Sequence, residues 1–307
     1  MIEADQRTEF LAALFEAGHL VRTGVRGVYG RGSRFEAIRA GLDEMISRAA
    51  AGERAEVLHF PPVIPRHTLE SSEYLRSFPH LAGTIFGFEG SEAAATHQFD
   101  AASRHDDWSG FQTMTDLVLT PASCYPIYSA VGARPPLRAG GITVDPGAAY
   151  VFRREPSDDP ARLQMFHMRE LVRIAEPATV LAWRDAWVDR GLALLAELGL
   201  DAAPDVAADP FFGRAGRMLA ASQREQQLKV ELLVPIAGPE PTAVASFNYH
   251  QGYFASLNGI RFADGSEVHT ACLGFGHERI VLALLRAHGL DTAGWPTAVR
   301  ARLGLES

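Results

Sequence analysis

The 307-residue chain is 47% apolar and carries a formal net charge of −8, enough apolar residues for an ordinary core and too little basic excess for a nucleic-acid surface. No stretch approaches the roughly 18 apolar residues that span a bilayer, and MIEADQRTEF has neither the basic nor the hydrophobic part of a leader, so a cytoplasmic protein is expected. The two cysteines, Cys124 and Cys272, lie far apart and outside any C-x-x-C pair, which leaves them as inert core residues or as metal ligands.

Two amphipathic helices open the chain, TEFLAALFEAGHLV and SRFEAIRAGLDEMISRAA, with apolar residues at spacings of three and four and Ser33 as the N-cap of the second. The glycine-rich GVRGVYGRGSR between them fits neither a Walker loop nor a dinucleotide fingerprint and reads as a plain connection. From Val57 to Glu170 the pattern changes to short strands in AEVLHFPP, TDLVLTPAS, AAYVFRRE and RLQMFHMREL. A helix follows over residues 177–199, with Trp183, Trp187, Leu192 and Leu195 on one stripe and Gly199 near its end. DAAPDVAADP reads as a loop and GRAGRMLAASQREQ as a helix, after which LKVELLVPI, TAVASFNYH and EVHTACLGF return to strand. The last helix opens at GFGHERI, with Ile280, Ala283, Leu284 and Ala287 as its apolar face and Glu278 at its positive end. Strands in runs, rather than alternating with helices, predict an α+β fold built on a mainly antiparallel sheet flanked by helices.

Residues two apart on a strand share a face, which pairs Arg153 with Glu155 and Phe166 with Glu170 on the two arms of a hairpin closed by PSDDPA. An arginine can grip a phosphate with two hydrogen bonds, a carboxylate can accept from an adenine amine and a phenylalanine can stack on the base. The same R-x-E pattern also suits an exposed, ion-paired edge. Gly274 and Gly276 clear the end of a strand where a flat ring can approach the backbone, and Arg279 projects from the first turn of a helix whose N-terminus is electropositive. A glycine-rich turn with a surface arginine fits the same residues.

Taken together, FRRE at 152–155 with Phe166 and Glu170 resembles motif 2, and GFGHER resembles motif 3, of class II aminoacyl-tRNA synthetase catalytic domains. The stretch from SFNYHQGYFASLNGIRF to EVHTACLGFGHER resembles the last part of seryl-tRNA synthetase catalytic domains. Cys124 in TPASCYPIYS, Glu170 at the end of the motif 2 hairpin and Cys272 before motif 3 are placed like the zinc site of atypical seryl-tRNA synthetases and of their truncated relatives, the amino acid:[carrier protein] ligases. GVYGR, RSFPHLAGTIFGF, REPSDDPARLQMFHMRE and DPFFGRAGRM extend the likeness to these ligases over nearly the whole chain. Only two short helices precede the catalytic pattern, leaving little room for a tRNA-binding domain. A single catalytic domain over 1–307 is therefore expected, with N-terminal helices over 1–50 and a mostly helical insertion over 176–230.

The resemblance implies a two-step reaction. An amino acid and ATP give an aminoacyl-adenylate and pyrophosphate, and the aminoacyl group then passes to the phosphopantetheine thiol of a small carrier protein. It implies Arg153 on the α-phosphate, Glu155 reading adenine, Phe166 and Arg279 on either side of the ring, and Gly274 and Gly276 making room for it. It implies Cys124, Glu170 and Cys272 as three Zn2+ ligands with a fourth position for the substrate amine. ATP brings Mg2+, and where seryl enzymes place an acidic residue before motif 3 this chain offers Ser246 and Asn248, of which Asn248 is assigned to the metal or substrate end. His167 and His250 read as structural, and glycine or alanine is the expected substrate. Arg214, Arg217, Arg224 and Lys229 form a basic cluster in an acidic protein, either a docking face for an acidic carrier or a solvated helix face. VLHFPPVIP resembles the motif 1 region, which implies a homodimer. Two other functions fit parts of the pattern: a reduced tRNA ligase charging serine, against which the missing N-terminal domain and the acidic charge count, and a catalytically silent paralogue that binds amino acid and ATP.

Overall fold

Three long adjacent strands organise the fold: Met165–Ala175, His269–Gly276 and Thr242–Gln251, paired antiparallel in that order. The computed structural model describes residues 2–238 and 240–305; the ends of the expected unit, Met1, Glu306 and Ser307, lie outside the described residues, as does Pro239. Successive residues of a strand point to opposite sides of its sheet. Leu171, Leu273, Phe275 and Phe247 turn to one side and join the main core, where Phe247 and Phe275 meet edge to face at 6.0 Å. Glu170, Cys272, Gly274 and Asn248 belong to the other parity and form the opposite side.

The full sheet runs Ala203–Val206, Lys229–Val234, Thr242–Gln251, His269–Gly276, Met165–Ala175, Ile142–Asp145, Glu56–Val57, and Ala148–Phe152 also pairs with Met165–Ala175. Glu56–Val57 lies parallel to Ile142–Asp145, while the other pairs of this sheet are antiparallel among the described residues. Val63–Pro65, Gln112–Leu119 and Thr84–Phe88 form a separate three-stranded sheet.

Three helices cover the apolar side. Ser33–Ala50 buries Phe35, Ile38, Leu42, Met45 and Ile46, a stripe at helical spacing, and packs on His277–His288. Pro177–Glu197 buries Val180, Trp187, Gly191 and Leu195 across the central strands. Gly191 is required there, because a Cβ would lie 2.8 Å from Phe247 Cζ. The indole N–H groups of Trp183 and Trp187 both donate to Glu53, at 2.7 and 3.0 Å, and Arg190 adds a third bond at 2.8 Å, so the polar atoms of this aromatic pair are satisfied.

Several elements differ from the sequence expectation, each for a local reason. The first helix is Ile2–Glu16, ended by Gly18 at φ +72°, so Leu20 and Val21 belong to the next strand. GVRGVYGRGSR is not a plain connection but most of a hairpin, Leu20–Val25 with Val28–Arg31, whose turn at Arg26 and Gly27 has Gly27 at φ +73°. Gly32, not Ser33, occupies the N-cap position of the second helix, and Ser33 is its first residue. AEVLHFPP shortens to Glu56–Val57, since Pro61 and Pro62 have no N–H to give a ladder. DAAPDVAADP contains the edge strand Ala203–Val206, where Pro204 is tolerated because one side of the strand is unpaired. Ala287 is exposed, whereas His277–Leu285 of the last helix is buried nearly all round.

Phe247→Ala removes a fully buried ring from the strand that carries Asn248 on its other side. The expected cost is about 3–5 kcal/mol, read as a lower urea midpoint at unchanged slope. A loss below about 1 kcal/mol would show that the helix Pro177–Glu197 collapses onto the vacated space.

Candidate functional site

The polar side of the sheet forms the floor of a cavity of about 400 Å³. Strand register sets the side chains in rows. Lys229 pairs with Asn248 and Asn248 with Cys272; one step along, Glu231 pairs with Ser246, Ser246 with Gly274 and Gly274 with Glu170. Cys124 reaches the same place from the opposite wall, at the N-cap of the helix Tyr125–Gly132. One donor atom from each of Cys124, Glu170 and Cys272 lies within 4.8 Å of the other two, and all three residues are buried.

The surroundings of this triad fix its geometry. Glu170 Oε1 accepts the Ser123 N–H at 3.2 Å, while Oε2 is buried without a partner. Asn248 Nδ2 and His250 Nε2 each lie 3.6 Å from Cys272 Sγ, and His250 Nδ1 is 3.2 Å from Thr270 Oγ1. Tyr128 and Phe254 stack at 4.3 Å against the cysteines. Burial pushes the Glu170 carboxyl up to about 8, with Cys272 adding to the shift. The hydrogen bond between the thiols, ahead of burial, separates them: Cys272 falls well below the ordinary thiol range and Cys124 rises well above it. A set of two sulfurs and one carboxylate, with an orphaned oxygen and so little solvent, suits a divalent cation of the zinc type.

Of the nucleotide residues expected from the sequence, Arg153, Gly274 and Asn248 line this cavity, while Glu155, Phe166, Gly276 and Arg279 lie outside its lining. Arg153 lines the cavity, but the strand ends at Phe152, so Arg153 and Glu155 are in the loop and do not share a strand face. The Arg153 N–H donates to Gln164 O at 2.8 Å and its guanidinium carbon sits 5.6 Å from the centre of the Phe166 ring. Glu155 is paired with Arg162 at 2.6 Å. Arg279 donates to Ala161 O and to Ala243 O, both at 2.8 Å, which holds it between the loop after Arg153 and the strand Thr242–Gln251. Burial, with the charges of Arg153 and Arg162, lowers its pKa to about 10, so it remains a cation at neutral pH. The glycines differ: a Cβ at Gly274 would meet Met168 Sδ at 2.9 Å, whereas at Gly276 it would make only ordinary contacts at 3.5 Å and beyond.

Lys229 does not belong to a surface cluster. It is buried, 2.5 Å from Asp209 and 3.0 Å from Glu231. Asp209 also exchanges two hydrogen bonds with Gln223, tying the helix Gly213–Glu225 to the cavity wall. Arg214, Arg217 and Arg224 are exposed on that helix beside Phe212, Met218 and Leu219, which are 58%, 73% and 50% exposed. The sequence reasoning missed Asp209, Glu231 and the aromatic wall of Tyr125, Tyr128 and Phe254; only the alternation of KVEL, residues 229–232, could have signalled Glu231. His167 and His250 are both in hydrogen-bonded settings, His167 with Glu278 at 2.9 Å.

No family model matches the chain. Among solved structures it is similar to the seryl-tRNA synthetase of M. kandleri, solved with A. aeolicus tRNASec, with a TM-score of 0.82 and 21% identity over 97% of this chain and 60% of that one. The fold is that of class II aminoacyl-tRNA synthetases. In sequence it is 46% identical over 288 residues to "Amino acid--[acyl-carrier-protein] ligase 1" of Bradyrhizobium diazoefficiens, covering 92% of this chain and 86% of the relative. "Amino acid--[acyl-carrier-protein] ligase 2" of the same organism is 46% identical over 286 residues, covering 92% and 84%. The chain belongs to the amino acid--[acyl-carrier-protein] ligase family.

Proposed function

We propose that this protein activates a small amino acid with ATP and transfers it to the phosphopantetheine thiol of a carrier protein. The observation that carries the reading is that the Cys124–Glu170–Cys272 triad and Arg153 face one cavity, so an amino group held at the first presents its carboxylate toward the second. The names of the two Bradyrhizobium ligases support the amino acid and the carrier as reactants.

Cys124, Glu170 and Cys272 would hold Zn2+, which when bound supplies a Lewis-acid position for the neutral amine. Arg153 neutralises charge on the α-phosphate as the carboxylate oxygen displaces pyrophosphate. Phe166 and Arg279 flank the adenine, and Arg279 enters this role already fixed by two backbone carbonyls, so little reorganisation is needed. Glu155 reads the adenine amine once released from Arg162, and the open backbone at Gly276 borders the ring, while the space beside Gly274 is filled by Met168. Asn248 braces Cys272 and faces the substrate end. ATP is used with Mg2+; Glu231, opposite Ser246, is a carboxylate on this side of the sheet, engaged by Lys229. The aromatic packing around the cysteines supports glycine or alanine as substrate. The carrier's thiol sulfur then attacks the adenylate's carbonyl carbon, forming the thioester as the bond to the phosphate oxygen breaks and AMP and the thiol proton leave, with the carrier docked on Arg214, Arg217 and Arg224 of the helix Gly213–Glu225 and on the apolar side chains beside them. The working unit is a homodimer by likeness to class II enzymes. Among the described residues no helix is long and apolar enough to cross a membrane, and we place the reaction in the cytoplasm.

Amino-acid-dependent exchange of pyrophosphate into ATP, across a panel of small amino acids with zinc-replete and zinc-stripped protein, tests the reading. Glycine or alanine should support exchange only with zinc, and no exchange with any amino acid would overturn it. Cys272→Ala should lose bound zinc and exchange together; full activity in a zinc-free variant would remove the metal's role. Arg279→Ala should lower exchange by about 100-fold or more with a raised KM for ATP, since a charged partner in a water-poor site is lost; unchanged kinetics would exclude it from the nucleotide site. Arg217→Glu should raise the KM for an acidic carrier while leaving exchange intact, and an unaltered carrier KM would move docking elsewhere.

A further inference from the structure

The hairpin Leu20–Val25/Val28–Arg31 has no part in the two steps above, yet it is bonded to both sides of the nucleotide region. We propose that it is a positioning element for ATP, acting through Arg31 and Gln164; the inference rests on the ATP reading of that region.

The first attachment is Arg31. Its side chain is 11% exposed, Nη1 lies 2.6 Å from Glu278 Oε1, Nη2 donates to the Tyr150 hydroxyl and Nε donates to Glu36. Glu278, 1% exposed, uses its other oxygen to accept the His167 N–H at 2.8 Å, and its Oε1 lies 2.9 Å from His167 Nδ1. This N–H is where a ladder runs out. Gly276 pairs with Met168, after which the strand His269–Gly276 turns into its helix, and the Glu278 carboxylate replaces the missing strand. His167 adjoins Phe166, and Glu278 adjoins Arg279. The Arg31–Glu278–His167 contact therefore sets the separation of the two side chains proposed to enclose the adenine.

The second attachment is at the hairpin tip. Gln164 donates its backbone N–H to Gly27 O and its side-chain amide to Arg26 O, each at 2.8 Å, while its own carbonyl accepts the Arg153 N–H at 2.8 Å. Gly27 has φ +73°, and a Cβ there would lie 3.2 Å from Arg162 O and 3.3 Å from Gln164 Cγ, so the turn closes on this loop only as glycine. The exposed Arg26–Asp158 pair at 2.7 Å adds little. Two separate bonds to one hairpin fix the loop of Arg153 relative to the helix of Arg279. Displacement of either by a fraction of an ångström misplaces a group that must meet phosphate or base.

The test uses the full chain as Arg31→Ala, Arg31→Lys and Gln164→Leu. ATP affinity is measured by titration calorimetry, KM for ATP and amino acid by exchange, and zinc content and thermal midpoint on the same samples. Arg31→Ala should weaken ATP binding by about tenfold, the scale of a lost hydrogen bond to a charged group. Gln164→Leu should weaken it several-fold, and Arg31→Lys should recover part of the Arg31→Ala loss. Amino-acid KM and zinc content should stay at wild-type values. Unaltered ATP affinity in the variants overturns the hairpin's role alone, as does a parallel loss of ATP affinity, amino-acid affinity and zinc, which marks general destabilisation. Should Arg31→Ala fail to fold, Gln164→Leu, which keeps every backbone bond, decides the matter by the same criteria. Wild-type protein that binds no ATP would overturn both this inference and the reading beneath it.

Discussion

Two thiols and a carboxyl group packed within 4.8 Å of one another and cut off from water are the constraint around which the cavity is arranged. In such a place each anion raises the cost of the next, and the groups respond by dividing their protons unequally: Glu170 is raised to about 8, Cys124 is raised and Cys272 is lowered. A cluster of this kind has no benefit to packing, because apolar side chains of similar volume fill a core at lower cost. Its donor atoms suit a divalent cation. Holding three donors in that state needs a support that does not relax, and the central sheet provides it: Cys272 and Glu170 come from directly paired strands, with the adjoining core packed on their far side.

The same strands link the metal-type donors to the nucleotide region. Gly274 and Glu170 are cross-strand partners, and four residues before Glu170 the strand carries Phe166, whose ring lies under Arg153. Arg279 lies only seven positions after Cys272 but is held from outside that strand, by carbonyls of residues 161 and 243. Its guanidinium is thus fixed before any ligand arrives, at the cost of desolvation that its pKa of about 10 records. Glu155 is in the opposite condition, paired on the loop with Arg162, and the proposed reading of adenine requires that pair to open. The site therefore combines a rigid floor with a loop whose charges are balanced internally.

Much of this was legible in the sequence because it depends on short-range pattern. The strands around Phe166, Asn248 and Cys272 stand out as short runs rich in apolar and aromatic residues, the glycine pair before Arg279 marks a strand-to-helix turn, and the stripe of Trp187 and Leu195 gives the long helix. The failures share a cause. GVRGVYGRGSR looks like a loop because its strands are short and glycine-rich, and what holds it as a hairpin is contact with residues 130 or more positions away, such as Gln164 and Glu278. Lys229 looks like part of a basic surface because charge is local in sequence, whereas Asp209, 20 residues away, reaches it from the cavity wall and Glu231 shares its face of the strand. Arg153 and Glu155 appear to share a face only while the strand is assumed to continue past Phe152.

By itself the sequence determined the α+β class and the order of the main strands and helices, because periodicity and residue chemistry act over a few positions; the three donors and two arginines were singled out by resemblance to the synthetase motifs. Tertiary structure alone decided that Cys124, Glu170 and Cys272 meet at one point, that Lys229 is enclosed between carboxylates, and that Arg31 reaches Glu278 across 247 residues of chain. Those outcomes depend on strand register and on the packing of distant segments. A register shift of a single residue would turn Cys272 and Asn248 into the core while leaving every local pattern unchanged.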